Sequence, residues 1–200
     1  PQAHPYMTAP SFHAANAPDG ASAPAPAAPR GPFAVPIYRN FWIGFLLSAV
    51  GSQIQAVGAA WLMTSLTTST VLVALVQASA VFPMMLLSVL SGALADSFNR
   101  RRLMITAQTI MMSVSIALLV MALLDLLTPG LLLAMTFSLG IGLTLNSPAQ
   151  GASIGDMVPR AVLPSAVAMN SMGFNVARSV GPAVGGIVVA AGGAVWAFGI

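Results

Sequence analysis

The chain is 200 residues long, 57% of them hydrophobic and 6% charged, with a formal net charge of +3. A water-soluble domain carries roughly 25% charged side chains, so this chain has too little polar surface to face water on all sides, and the bilayer is its expected solvent. Seven arginines and four aspartates lie scattered between apolar runs, with no lysine, glutamate or cysteine. That excludes a basic nucleic-acid-binding face, a disulfide framework and a thiolate metal site.

Residues 1–36 are rich in proline, alanine and serine. Such a stretch buries little and resists helix formation, so it is expected to be a disordered tail. It has no continuous apolar core after a basic start, which excludes a secretory signal. Residues 37–200 are expected to form one membrane helix bundle. Apolar segments run at about 41–63, 71–95, 103–124, 130–154 and 161–190, and a sixth, 194–200, is cut off at Ile200. A helix crosses the hydrocarbon core with roughly 20 apolar residues. The short alternating segments of a barrel are not seen, so the fold class is all-α and transmembrane. Short connections such as TSLTTST and DLLTPG imply antiparallel neighbours along the chain. With no initial methionine and an end inside an apolar run, the chain is expected to be part of a longer polypeptide.

If the tail is cytoplasmic, Arg30, Arg39, Arg100, Arg101, Arg102 and Arg160 all lie inside, and the opposite loops carry Asp125 and no arginine. The positive-inside rule then gives a cytoplasmic N-terminus in the cell (inner) membrane.

Polar residues inside the segments are the candidates for contact with cargo. The first segment offers Gln53 and Gln55, with Ser48 and Ser52. Two positions apart on a helix, the two glutamines point about 200° apart, so only one of them faces a common cavity. The fourth offers Asn146 and Gln150 one turn apart, and its Gly140, Gly142 and Pro148 suggest a flexible or broken helix. In the fifth, Arg178 is the only charge inside a segment away from its ends. Such a charge costs about 2.5–3.5 kcal/mol at mid-helix on insertion scales. Ser171, Asn175, Arg178 and Pro182 share one helical face, with Asn170 and Phe174 alongside. The expected cavity set is therefore Gln53, Asn146, Gln150, Asn170, Asn175 and Arg178. For any single amide, interhelical hydrogen bonding is the competing role. The methionine pairs Met84-Met85 and Met111-Met112 suit either an adaptable pocket or ordinary packing. No carboxylate pair lies within a segment, both histidines (His4 and His13) sit in the tail, and no phosphate loop or metal-ligand cluster is found. Neither enzyme chemistry nor a cofactor is expected, and any pumping would draw on a gradient.

Two stretches carry a family pattern. GALADSFNRRR, Gly92 to Arg102, falls between the second and third segments, and NSMGFNVARSVGPAVGG, Asn170 to Gly186, lies in the fifth. The first resembles the signature of the major facilitator superfamily, matched at Gly92, Asp96, Arg100, Arg101 and Arg102. It departs at Ser97, where a base is usual, and at Asn99, where glycine is usual; asparagine tolerates the left-handed turn that glycine would make there. The second is similar to the end of the superfamily's antiporter motif at Gly181, Pro182, Gly185 and Gly186, with alanine at the two earlier glycine positions. The wording of the first and fifth segments is closest to the enterobactin-exporter-like and macrolide-efflux-like branch.

The resemblance implies the N-terminal six-helix half of a secondary transporter, with five complete spans and the start of a sixth. Its C-terminal six-helix half would be missing from this chain. It further implies export of a small amphipathic compound, drug-like or siderophore-like, in exchange for protons by alternating access. Gly92, Asp96 and the three arginines, with Asp156 as partner for Arg100, would latch the outward-open state. The family's proton-linked arginine in the fourth helix is Thr136 here, so coupling through that position does not carry over. Together with Ser97, that departure supports a rival reading: a non-transporting membrane scaffold or assembly partner that keeps the fold.

Overall fold

A computed structural model of the chain describes residues 31–97 and 99–199, with the side chains of residues 88–98 and of Arg100 outside the description. The described residues form five long helices: α1 Pro36–Leu66, α2 Thr70–Ser97, α3 Arg100–Leu123, α4 Pro129–Met157 and α5 Leu163–Gly192. All five are long and apolar enough to span a membrane, and only 11–33% of their most apolar windows is buried within the bundle. Few positions of any helix are fully buried, as suits spans whose solvent is lipid. Intrahelical bonding is what makes that tolerable, because it satisfies the backbone without water.

The helix starts follow from local chemistry. Proline occupies the first turn of α1, α4 and α5, where its missing N–H has no intrahelical partner to lose. The Thr128 hydroxyl caps α4 by accepting from the Leu131 N–H at 3.3 Å. Asn99 behaves differently from the sequence expectation. Its φ is −61° and its ψ 114°, so it makes no left-handed turn. Instead its Oδ1 accepts from the N–H groups of Arg101 at 3.0 Å and Arg102 at 3.4 Å, and it serves as the N-cap of α3. Asparagine does this better than the glycine usual at that position, because a cap needs a side-chain oxygen.

Packing arranges the helices around α4. It is flanked by α2 and α3, while α1 packs on α5; α4 and α5 touch only sparingly. α1 and α5 run parallel, with Tyr38 bonded to Ala166 and Val57 beside Gly185. α2 and α4 are likewise parallel, with Ser79 at Thr136 and Ala80 at Gly140. α3 runs against α4, pairing Met104 with Ser153 and Met111 with Gly142. Several glycines set close approaches, Gly140 and Gly181 among them. A β-carbon on Gly140 would collide with the Ala80 carbonyl oxygen and the Pro83 ring, and one on Gly181 with the Gln53 Cβ. Small residues let helices that share no hydrophobic drive in lipid gain close contact instead.

One expectation is revised here, and two segments gain a local form. α4 runs unbroken from Pro129 through Pro148 to Met157; Gly140 and Gly142 are contact points for α2 and α3, and the helix is not broken there. The segment read as the start of a sixth span is a five-residue 3-10 helix, Ala194–Phe198. It follows Gly193 at φ +87°, a left-handed geometry that suits glycine, and it buries Ala197 and Phe198. At the other end, Pro32–Ala34, within the stretch read as tail, form a 3-10 turn. The Phe33 ring there meets Trp42 edge-on at 5.1 Å between centroids. Residues 1–30, the rest of the expected tail, lie outside the described residues.

Candidate functional site

The sparse contact between α4 and α5 leaves a cavity of about 380 Å³, walled by α1, α4 and α5 with Met111 of α3. All six residues of the expected cavity set line it: Gln53, Asn146, Gln150, Asn170, Asn175 and Arg178. Ser171 and Phe174 join them from α5, whereas Pro182, on the same helical face, does not. The local reason is spacing. Ala166, Gly173, Ala177, Gly181 and Gly185 are buried, and the last four recur every fourth residue against α1. Asn175 and Arg178 therefore point away from that seam.

The two glutamines of α1 divide as their angular separation requires. Gln55 hydrogen-bonds Ser115 of α3 through its Nε2 at 3.0 Å and is an interhelical clasp. Gln53 lines the large cavity and also a smaller neighbour of about 210 Å³ between α1, α2 and α4. Gln77 of α2 also lines this smaller cavity. Sequence reasoning passed over it, though a lone glutamine inside an apolar run was the available signal. Met111 borders both cavities, while Met84, Met85 and Met112 face outward.

Electrostatically the large cavity is unusual for a membrane interior. Arg178 is exposed within this bundle, has no ion pair among the described residues, and stacks 5.9 Å from the Phe174 ring centroid. Pro182, four residues on, has no N–H to give to the Arg178 carbonyl. Asn146 is only 7% exposed, and its amide oxygen is buried without a hydrogen-bond partner. The same holds for the Asn170 amide oxygen. A buried polar atom without a partner costs about 1–3 kcal/mol. Two of them flanking one cavity, beside a bare guanidinium, describe a site equipped to bind a polar group. Thr136 is the opposite case: its Oγ1 reaches the carbonyls of Leu132 and Leu133, each at 3.0 Å, and the Ser79 hydroxyl at 2.7 Å.

The expected latch lies at one end of the bundle. Gly92 and Asp96 fall in the last turns of α2, and Arg100, Arg101 and Arg102 in the first turn of α3. The Asp96 and Arg100 side chains lie outside the described ones. Arg101, Arg102, Asp156 and Arg160 are exposed, and the helix directions bring them to this same end, with Arg39 at the start of α1. Asp125 sits at the other end, with φ +53°. Of the antiporter-like motif, Gly181 and Gly185 pack on α1, whereas a β-carbon on Gly186 would meet nothing within 4 Å.

Comparison with known proteins adds two findings. The family model described as transmembrane secretion effector matches residues 27–200. The staphyloferrin A transporter of Staphylococcus aureus is 28% identical over 159 residues, which cover 76% of this chain and 38% of the relative. The chain thus spans less than half the length of that relative. No solved structure matches the chain significantly.

Proposed function

This chain belongs to the transmembrane secretion effector family of major-facilitator transporters, as its N-terminal half, and from that premise we propose that it exports a small amphipathic compound through the cavity between α1, α4 and α5. The observation that carries the reading is the convergence of Gln53, Asn146, Gln150, Asn170, Asn175 and Arg178 on that one cavity. A bundle kept only for packing has no use for a mid-span arginine without an ion pair among the described residues and two unpartnered amide oxygens on one cavity.

Alternating access would rock this half against a second six-helix half around the cavity. The positive-inside rule supports a cytoplasmic side for the arginine-bearing end, and the inner membrane is the proposed location. Asp96, with Arg100 to Arg102 and Asp156, would hold the outward-open state there. Proton exchange is the proposed energy source. No carboxylate lines either cavity among the described residues, so the proton-bearing group is expected on the ligand or elsewhere in the polypeptide.

The test is gradient-driven transport by the full-length protein in reconstituted vesicles. Arg178→Ala is expected to abolish transport while the protein stays folded and monodisperse. Asp96→Asn is expected to shift the distribution between outward-open and inward-open states. The scaffold reading draws on the Ser79–Thr136 pair, which puts a satisfied hydroxyl where the family carries an arginine. It gains if wild-type vesicles transport none of a broad panel of organic anions, cations and neutral compounds.

A further inference from the structure

The two cavities adjoin, sharing Ser52, Gln53, Met111 and Leu143 in their walls, yet they offer a guest different chemistry. In the smaller one most polar atoms are already committed. Thr136 bonds its own helix and Ser79, Gln55 bonds Ser115, and the Ser52 hydroxyl donates to the Ser48 carbonyl at 2.9 Å. Gln53 at the junction and the exposed Gln77 are the exceptions. What remains for a ligand is apolar surface, from Ala56, Val76, Val81, Leu139 and Phe198 among others. In the larger cavity the hydroxyls of Ser52, Ser147 and Ser171 bond their own helices, but the amide oxygens of Asn146 and Asn170 are uncommitted, and Arg178 is the one charged residue in either wall among the described residues.

We infer that the ligand is an amphipathic anion. Its acidic group is held by Arg178 and the amides of Asn146 and Asn170, and its apolar end extends past Met111 into the smaller cavity. This rests on the reading of the larger cavity as the transport site and adds the ligand's charge and orientation. The charge follows from sign: a cationic ligand would meet an arginine with no carboxylate in the wall to offset it, whereas an anion supplies the partner the guanidinium lacks. The orientation follows from commitment. An amide with an idle edge turns to present either its NH2 or its C=O to a guest, and pairing it removes the penalty of leaving it orphaned. Committed hydroxyls offer no such gain, so the methyl- and ring-lined pocket takes the apolar part.

Three probes of one shape and three charges test this on the purified full-length protein: biphenyl-4-carboxylate, biphenyl-4-carboxamide and 4-phenylbenzylamine, each titrated calorimetrically. The carboxylate is expected to bind about tenfold tighter than the other two, in line with a hydrogen bond to a charged group. Arg178→Gln is expected to erase that preference, the carboxylate losing about tenfold more affinity than the carboxamide, a difference within one protein that misfolding does not imitate. Val81→Trp, at an exposed position in the smaller cavity wall, is expected to weaken biphenyl-4-carboxylate about tenfold and to leave the shorter benzoate unaffected. The inference is overturned if the amine binds as tightly as the carboxylate, or if the preference survives Arg178→Gln. It also falls if Val81→Trp weakens both carboxylates equally, or if no probe binds. Vesicle uptake separates the two levels: transport of the amine without the carboxylate keeps the transporter and removes the anion.

Discussion

On its α2 side, α4 touches its neighbour at Gly140, and the Thr136 hydroxyl there has three oxygen partners within 3.0 Å. On the side toward α5 the same helix barely meets its neighbour, and Asn146 and Asn170 leave amide oxygens idle around a cavity. Both sides are polar by sequence. What separates them is whether each buried polar atom has a partner. A satisfied group holds helices together, and an unsatisfied one keeps a free-energy debt that a guest can cancel. The contrast also assigns Gly140: it belongs to the closed seam, where the Ala80 backbone itself is the neighbour.

Substitution at the seam is the harshest way to break this contrast. Gly140→Val places a branched side chain against the Ala80 carbonyl and the Pro83 ring. Neither is the yielding tip of a flexible side chain, so α2 and α4 must separate. The expected loss is about 3 kcal/mol or more, read as a lowered melting temperature and a reduced monodisperse fraction in detergent. Gly186→Ala is the matched control on α5. With nothing within 4 Å of the added carbon, replacing glycine in a helix is expected to be neutral or to stabilise by about 0.5–1 kcal/mol. Equal damage from both would mean that the α2–α4 seam is not special.

Arg178→Ala tests the other side. The stacking on Phe174 is worth about 0.5–1 kcal/mol at an exposed site, so stability is expected to change by no more than that while transport is lost. A variant that unfolds instead would move Arg178 to the structural side of the contrast.

The fold was legible because a run of some 20 apolar residues has one solution in lipid, and each of the five expected spans falls on one of the five helices, with ends differing by one to five residues. The face of α5 was legible too: a lone mid-span arginine one turn from an asparagine marks a direction. Partnership was not legible, because it depends on residues far away in sequence. Ser115 of α3 decides that Gln55 is a clasp, and Ser79 of α2 commits Thr136. Helical spacing also did not say that Gly181 and Gly185 touch α1 while Gly186 touches nothing. Asn99 was misread for a different reason. Asparagine is favoured both in left-handed turns and at N-caps, and the fork is settled only by whether the next N–H groups lie within reach of its side chain.

A smaller effect of opposite sign is expected from Asn146→Leu. Removing a buried oxygen that has no partner relieves its desolvation, and the adjoining cavity has room for the larger side chain. Stability is expected to rise by about 1 kcal/mol, measured by thermal unfolding in detergent, while affinity for biphenyl-4-carboxylate falls. A protein that becomes less stable would show that Asn146 is already paired, and it would then belong with Thr136.

The smallest effect lies in the seam's hydrogen bonding. Ser79→Ala and Thr136→Val each remove one hydroxyl from a pair 2.7 Å apart. Thr136 retains carbonyl contacts within α4 when Ser79 is lost, so the pairwise term is expected to be modest. A double-mutant cycle should return a coupling of about 0.6 kcal/mol, the average for interhelical bonds in a membrane bundle, where the separated helices also find partners. A coupling near zero would mean that Gly140 packing alone closes the seam. A coupling well above 2 kcal/mol would mean that the pair is drier and more constraining than its partial burial implies, and that the seam resists the helix movements alternating access requires.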